Sequence, residues 1–505
     1  MNPARYLMLL LCFCLPYKTI AAVPAPPVNA DGERYFHLHC ARCHEPVSFS
    51  HQVTRAWAGK SWDALLQFTH DNMPPEITSP IPDAAYPAML AYLFRTGGHE
   101  QAQITRLQSG TLISDSAPAQ RLGDQAWPVY AGTSLAQRYS RLDQINRSNV
   151  HQLQIAWRWK SDNFGPVPER KGQTTPIMVG GKLFATAGAT RNVVALDAAS
   201  GETLWMWRPD EGERFNRAAR RFSGRGVAWW RSPAGEGRIL VITPGYSLVM
   251  LDAQTGRPVT TFADQGQIDL TAGLRTTDTQ PLDIGASSPP LVVGNTVIVG
   301  SAQLAGMRPV SRSNVKGDVR AYDLLTGKQR WTFHVIPTRD EPGFGTWEND
   351  SALYTGNTGA WAPLSADPAL NLVYLPLECP TSDRYGGERP GDNLYANSVV
   401  ALDVETGELR WYQQLIHHDI WDWDNPMAPI LLDVPDSEGA FPAVVQLTKQ
   451  AFAYVFDRRT GVPRWPLREL PVPASTVPGE IAALSQPHPE RPPAYDRQGT
   501  GADGS

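Results

Sequence analysis

The stretch Val193–Trp207, VVALDAASGETLWMW, decides the architecture, because the chain repeats it. The other copies are LVMLDAQTGRPVTTF (Leu248–Phe262), VRAYDLLTGKQRWTF (Val319–Phe333), VVALDVETGELRWYQ (Val399–Gln413) and AYVFDRRTGVPRWPL (Ala453–Leu467). An Asp anchors each copy, at Asp197, Asp252, Asp323, Asp403 and Asp457, and a Gly follows four positions later, at Gly201, Gly256, Gly327, Gly407 and Gly461. Four copies place a Trp eight residues after the Asp, namely Trp205, Trp331, Trp411 and Trp465; the second has Thr260 there. An alternating strand that runs into Asp-x-x-(Ser/Thr)-Gly and returns reads as a hairpin, with Gly accepting the positive φ of the turn. The anchors stand 55, 71, 80 and 54 residues apart, room for a four-stranded sheet with an insertion. Four-stranded sheets repeated around an axis form a β-propeller, and the repeated Trp is the natural wedge between blades. A string of separate β-sandwiches is disfavoured, since the repeats are too short to bury cores of their own.

Outside the repeats the texture differs. At 505 residues more than one domain is expected. The 44 Pro, 42 Gly and 16 Trp suit short strands and turns. With 45 basic and 50 acidic residues, a dedicated nucleic-acid binder is disfavoured. Residues 1–22 read as a signal peptide, with Arg5, the apolar core YLMLLLCFCLPY and Ala21–Ala22 before a cleavage site. No later segment approaches the roughly 20 apolar residues of a spanning helix. The mature chain is therefore expected in the periplasm, soluble or peripherally membrane-associated.

After removal of that segment three cysteines remain: Cys40, Cys43 and Cys379. HCARCHEP, His39–Pro46, allows a zinc corner, a redox pair or a haem tether. A zinc site lacks a second ligand pair, and the flanks lack the strand-then-helix pattern of a thioredoxin motif. C-x-x-C-H then reads as covalent attachment of a c-type haem: Cys40 and Cys43 hold the vinyl groups and His44 is the proximal iron ligand. Met73, in a loop opened by Pro74 and Pro75, is the expected second axial ligand. It is preferred to Met89, which has helical spacing, and to His70. Residues 31–98 resemble a small cytochrome c domain, with helices expected in DGERYFHLHCARCH, SWDALLQFTH and PAMLAYLFRTGG. Residues 99–126 are polar and read as a linker.

Residues 127–490 resemble the quinoprotein dehydrogenases, eight-bladed propellers that bind pyrroloquinoline quinone (PQQ) on the axis. The resemblance is carried by the opening segment 127–159, GAWAPLSADPALNLVYLP, YGGERPGDNLYANSVVALD, HHDIWDWDNP and QLTKQAFAYVFDRRTG. Within that family the wording is most similar to the membrane glucose dehydrogenase group. The propeller segment has no adjacent cysteine pair, which disfavours the methanol and ethanol enzymes. The resemblance implies that Asp422 is the base that removes the substrate hydroxyl proton and that Lys449 hydrogen-bonds the quinone oxygens. It implies that Trp361 stacks on the quinone ring and that Thr381 lies beside a Ca²⁺ or Mg²⁺ ion. The position from which relatives supply a further metal ligand reads GSAQLAGMRP here, with Gln303, Leu304 and Ala305 and no carboxylate.

The expected protein is thus mostly β, an all-α cytochrome c domain followed by a PQQ-type propeller. Five repeats and an opening strand around Trp157 and Trp159 account for five to six blades where eight are expected, so the chain reads as C-terminally incomplete. Residues 491–505 read as a structureless tail. The implied activity is oxidation of an alcohol or sugar hydroxyl, with electrons passed through the haem to a respiratory cytochrome, cupredoxin or quinone. The alternatives are a non-catalytic propeller scaffold fused to an electron carrier, or an inactive fragment. No Rossmann fingerprint points to NAD or FAD.

Overall fold

The computed structural model describes residues 31–41, 46, 50, 53, 62–72, 81–96, 126–161, 167–276, 283–304, 312–437 and 439–495. The chain divides into two compact units, Met1–Arg121 and Leu122–Ser505.

In the first unit the three expected helices form at α1 (Asp31–His39), α2 (Trp62–Asn72) and α3 (Ala85–Thr96). Their apolar faces meet in a core of Phe36, Trp62, Leu65, Leu90, Leu93 and Phe94. Helices α1 and α3 cross at Gly32, where an added Cβ would lie 2.2 Å from the Ala88 carbonyl oxygen; only glycine permits that approach. Met89 is buried on α3 beside Tyr86 and Ala85, as its helical spacing suggested. Cys40, half-buried, packs against the same cluster. Cys43, His44 and Met73 lie outside the described residues, as does the expected linker 99–126 apart from its last residue. No helix among the described residues is long and apolar enough to cross a membrane.

The second unit is built of antiparallel sheets. Four have four strands, over residues 177–207, 228–269, 291–333 and 365–414. A three-stranded sheet follows over 430–457, then a two-stranded one over 467–489. Within each, the described strands run in chain order, the meander of a propeller blade.

Each repeat forms the turn its sequence calls for. The Asp197 carboxylate accepts the N–H groups of Ala199 and Ser200 and the Ser200 hydroxyl, while Gly201 closes the turn at φ +74° and donates its N–H to the Asp197 carbonyl. Asp252, Asp323 and Asp403 accept from their own turns in the same way.

The tryptophans are wedges between units. The indole of Trp157 covers Gly201, Trp205 covers Gly256, Trp331 covers Gly407 and Trp411 covers Gly461. Each donates its Nε1–H to the carbonyl three residues before that glycine: Ala198, Ala253, Val404 and Arg458, at 2.9–3.3 Å. The second repeat lacks the Trp, and Ala263 lies against Gly327 instead. One pattern therefore sets the strand turn and the seam between neighbouring sheets. Past the last sheet, Tyr495 donates its hydroxyl to the Thr448 carbonyl at 2.6 Å and its N–H to that of Ala451. The first residues of the expected tail are thus hydrogen-bonded to the propeller.

Candidate functional site

The site is assembled by four segments: Gly359–Trp361, Cys379–Asp383, the loop of HHDIWDWDNP, and the turn that carries Lys449. Asp419, nearly fully buried, braces the third of these. Its two carboxylate oxygens accept the N–H groups of Trp421 (2.8 Å) and Trp423 (2.7 Å), and Asn397 donates to one of them. Arg389, completely buried, ties the Asp419 carbonyl to that of Ser382. Between the two braced peptides Asp422 takes a left-handed φ of +59° and donates its N–H to the Asp383 carbonyl. A non-glycine residue held in that region is a strained one.

Asp422 and Lys449, 27 residues apart in sequence, meet here. The Lys449 ammonium donates to the Asp422 carbonyl at 2.5 Å and lies 3.6 Å from its carboxylate. It also donates to Asp424 Oδ2 at 3.1 Å. Trp361 joins the group, its Nε1–H donating to the same Oδ2 at 3.1 Å. Asp424 Oδ1 accepts the Cys379 N–H at 2.9 Å. Three of the residues singled out in the sequence therefore share one cluster. Asp424, which the motif reading passed over, is its hub.

The electrostatics follow from burial. Partial burial and the neighbouring Asp424 charge raise the pKa of Asp422, against the pull of Lys449. Asp383 is pushed up to about 6 by burial and by the charges of Asp422 and Asp424. Burial opposes the charge of Lys449, yet Asp424 and Asp422 outweigh it and its pKa is raised. Burial and the surrounding carboxylates push the Cys379 thiol well up; its sulfur lies 3.8 Å from Asp383 and 3.9 Å from Asp422. Glu378 is buried too, accepts the Gly359 N–H at 3.0 Å, and is held well above the usual carboxylate range by burial.

Thr381 lies in the same segment, buried, with its hydroxyl unpartnered among the described residues. Gln303 is buried on a short strand paired with Ile284–Gly285, and both ends of its amide lack partners there. Arg225 stacks over Trp361, its guanidinium carbon 5.2 Å from the ring centroid, and its Nη1 is buried without a hydrogen bond. Buried polar atoms in native proteins are satisfied by some partner. An aromatic, anionic, oxygen-rich ligand fits this set: a ring face at Trp361, cations at Arg225 and Lys449, and spare donors at Thr381 and Gln303. These residues are compatible with a ligand of PQQ's chemistry.

Residues 127–504 match the family model of the PQQ glucose/ethanol/alcohol dehydrogenase β-propeller domain. The chain belongs to this family. Among curated proteins it is 32% identical over 400 residues to the quinoprotein glucose dehydrogenase of Escherichia coli, covering 76% of this chain and 49% of that protein. It is 34% identical over 398 residues to the quinate/shikimate dehydrogenase (quinone) of Acinetobacter baylyi, covering 74% and 48%. Among solved structures, the quinohemoprotein alcohol dehydrogenase of Pseudomonas putida superposes with a TM-score of 0.56 at 29% identity, covering 68% of this chain and 48% of that one. The Comamonas testosteroni quinohemoprotein alcohol dehydrogenase shares the fold at a TM-score of 0.57 and 24% identity, covering 72% of this chain and 52% of that one. The chain spans about half the length of the curated relatives it matches.

Gln303 offers no carboxylate, but the fold places Asp422, Asp424 and the Cys379 sulfur with ligand atoms within 4.8 Å of one another, and Glu378 beside Cys379. Carboxylates suited to Ca²⁺ or Mg²⁺ are thus present. The thiol is a soft addition, and the Lys449 ammonium already neutralises part of the cluster. The local signal for Asp424 is the spacing W-D-W-D, which sets a second acid two residues after Asp422; its contacts with Trp361 and Cys379 carry no such signal. Arg225 and Glu378 carried no local signal, because both act through contacts across the fold.

Proposed function

We propose that this protein oxidises an alcohol or sugar hydroxyl using PQQ and passes the electrons through a covalent c-type haem to a respiratory acceptor in the periplasm. The observation that carries the reading is the convergence of Asp422, Lys449 and Trp361 on Asp424.

When bound, PQQ supplies a two-electron acceptor for hydride. The chain supplies the rest. Asp422 accepts the hydroxyl proton as the carbinol C–H is broken; its carboxylate receives no N–H donor among the described residues, which leaves it open to a substrate O–H. Burial and the Asp424 charge raise its pKa above the ordinary carboxylate value, which makes it a stronger base. Lys449 presents positive charge where negative charge develops on reduction. Trp361 offers a flat apolar face and Arg225 a guanidinium for a carboxylate.

Haem attachment at Cys40 and Cys43, with His44 and Met73 as axial ligands, remains part of the proposal. It is supported by the C-x-x-C-H spacing and by three helices in the expected places. A divalent ion near Thr381 belongs to the proposal as well. The substrate class draws on relatives named for glucose, quinate/shikimate and glycerol. The test is dye-linked oxidation of a panel of aldoses, polyols and alcohols after addition of PQQ with Ca²⁺ or Mg²⁺. Turnover that requires PQQ supports the reading, and turnover with NAD⁺ alone contradicts it.

A further inference from the structure

We propose that Asp424 is the positioning residue of this site, fixing the Trp361 ring plane and the Lys449 ammonium relative to one another; the inference rests on the reading of the site as a PQQ site. Two carboxylates stand two residues apart in one loop and are wired differently. Asp422 receives no backbone or indole N–H on its carboxylate among the described residues; it faces the Lys449 ammonium at 3.6 Å, Arg384 at 3.8 Å and the Cys379 thiol at 3.9 Å, with the Asp424 carboxylate beside it. Asp424 receives three donors within 3.1 Å: a backbone N–H from Cys379, the indole N–H of Trp361 and the Lys449 ammonium. The first oxygen anchors the carboxylate to the backbone. The second holds two functional side chains at once.

Each of those side chains has few other restraints. Trp has a single donor, its Nε1–H, and here that donor is committed to Asp424. With the Trp361 carbonyl accepting the Ser288 hydroxyl at 2.6 Å, the residue is tied at its backbone and at the far edge of its ring. The ring is then fixed in rotation while its face stays available to Arg225 or a ligand. Lys449 has three donors; one goes to Asp424 and one to the Asp422 carbonyl. The third is left to point at a ligand. A flexible four-carbon stem is thereby converted into a directed donor, the preorganisation that binding and electrostatic catalysis both need. Charge-assisted bonds of this kind are about twice as strong as neutral ones, so a single carboxylate oxygen suffices.

The test uses Asp424→Asn in the full chain. The amide oxygen still accepts the Cys379 N–H, while an NH₂ group now faces the indole and the ammonium. Without cofactor, the Trp361 indole ¹⁵N–¹H resonance, assigned by its absence in Trp361→Phe, should move upfield and exchange faster with solvent in Asp424→Asn. An unmoved resonance overturns the inference whether or not PQQ binds. With cofactor, PQQ affinity should fall about 10- to 100-fold in Asp424→Asn and in Trp361→Phe singly. The double variant should lose at least about threefold less than the product of the single losses, because both changes break one bond. Multiplicative losses overturn it. Should Asp424→Asn fail to fold, Trp361→Phe with Lys449→Gln probes the same oxygen and should be non-multiplicative in the same sense. Failure of the wild-type chain to bind PQQ would count against the proposed function, and the indole resonance would still decide the role of Asp424.

Discussion

The Lys449 ammonium lies between two carboxylates, 3.1 Å from Asp424 and 3.6 Å from Asp422. The shorter contact is a hydrogen bond to an acid that three donors hold in place; the longer one faces an acid whose carboxylate accepts no backbone or indole N–H among the described residues. In the proposed function these two acids divide the work, Asp424 organising and Asp422 reacting, with one cation between them.

Asp422→Asn keeps the shape of the side chain and removes its proton affinity. Turnover should fall by roughly 10² to 10⁴, the usual contribution of a positioned general base. PQQ affinity should change little. Steady-state rates alongside a cofactor titration separate the two quantities. An equal loss in both would place Asp422 in binding instead.

Activity should depend on pH with a definite sign. The base must be ionised to work, and burial together with Asp424 raises its pKa. The rate at low substrate concentration should therefore climb as pH rises through a value above the ordinary range for aspartate, near 3.9. An acid limb at the ordinary value would show that the group is not desolvated in the working enzyme.

Stability should run the other way. The pKa of Asp419 is raised to about 6 by burial and that of Asp383 to about 6 by burial and neighbouring acids, whereas in the unfolded chain both lie near 3.9. The folded state then holds protons more tightly than the unfolded state between those values. Their contribution is complete below about pH 4 and is lost as pH rises through about 6. Urea midpoints should be lower at pH 7 than at pH 5, and Asp383→Asn should shrink the difference.

Much of this architecture was legible because one local pattern did two jobs. Asp-x-x-(Ser/Thr)-Gly fixed the turns by short-range hydrogen bonds, and the following Trp marked the seam that Gly201, Gly256, Gly407 and Gly461 accept. Asp422, Lys449 and Trp361 were reachable through motifs whose wording survives in the sequence. Asp424 was missed because its role depends on a cross-fold contact with Trp361, 63 residues earlier, rather than on its neighbours. Glu378 was missed for the same reason: it reaches the site through its contact with Gly359, 19 residues earlier.

The seam itself is testable. At Gly407, φ is +71° and an added Cβ would lie 2.5 Å from the Trp331 ring. Gly407→Ala should cost about 1–2 kcal/mol for the left-handed backbone alone, and more where the ring cannot retreat. Trp331→Ala should cost about 3–5 kcal/mol. Denaturant unfolding reads both, and a neutral Gly407→Ala would remove the docking explanation.

For the haem, expression with haem-maturation factors should yield a pigment that survives acid–acetone extraction. Replacing Cys40 and Cys43 by Ser should abolish it. Met73→Ala should remove the weak absorbance band of sulfur-ligated ferric haem; a band that persists there would assign the ligand to Met89.

The most direct test of the central claim is PQQ affinity in the wild-type chain beside Lys449→Ala, measured by tryptophan fluorescence quenching and followed by dye-linked turnover with an aldose or polyol. The account expects saturable binding that Lys449→Ala weakens together with the rate, and no turnover with NAD⁺. Binding unaffected by Lys449→Ala, or oxidation supported by NAD⁺ alone, would contradict it.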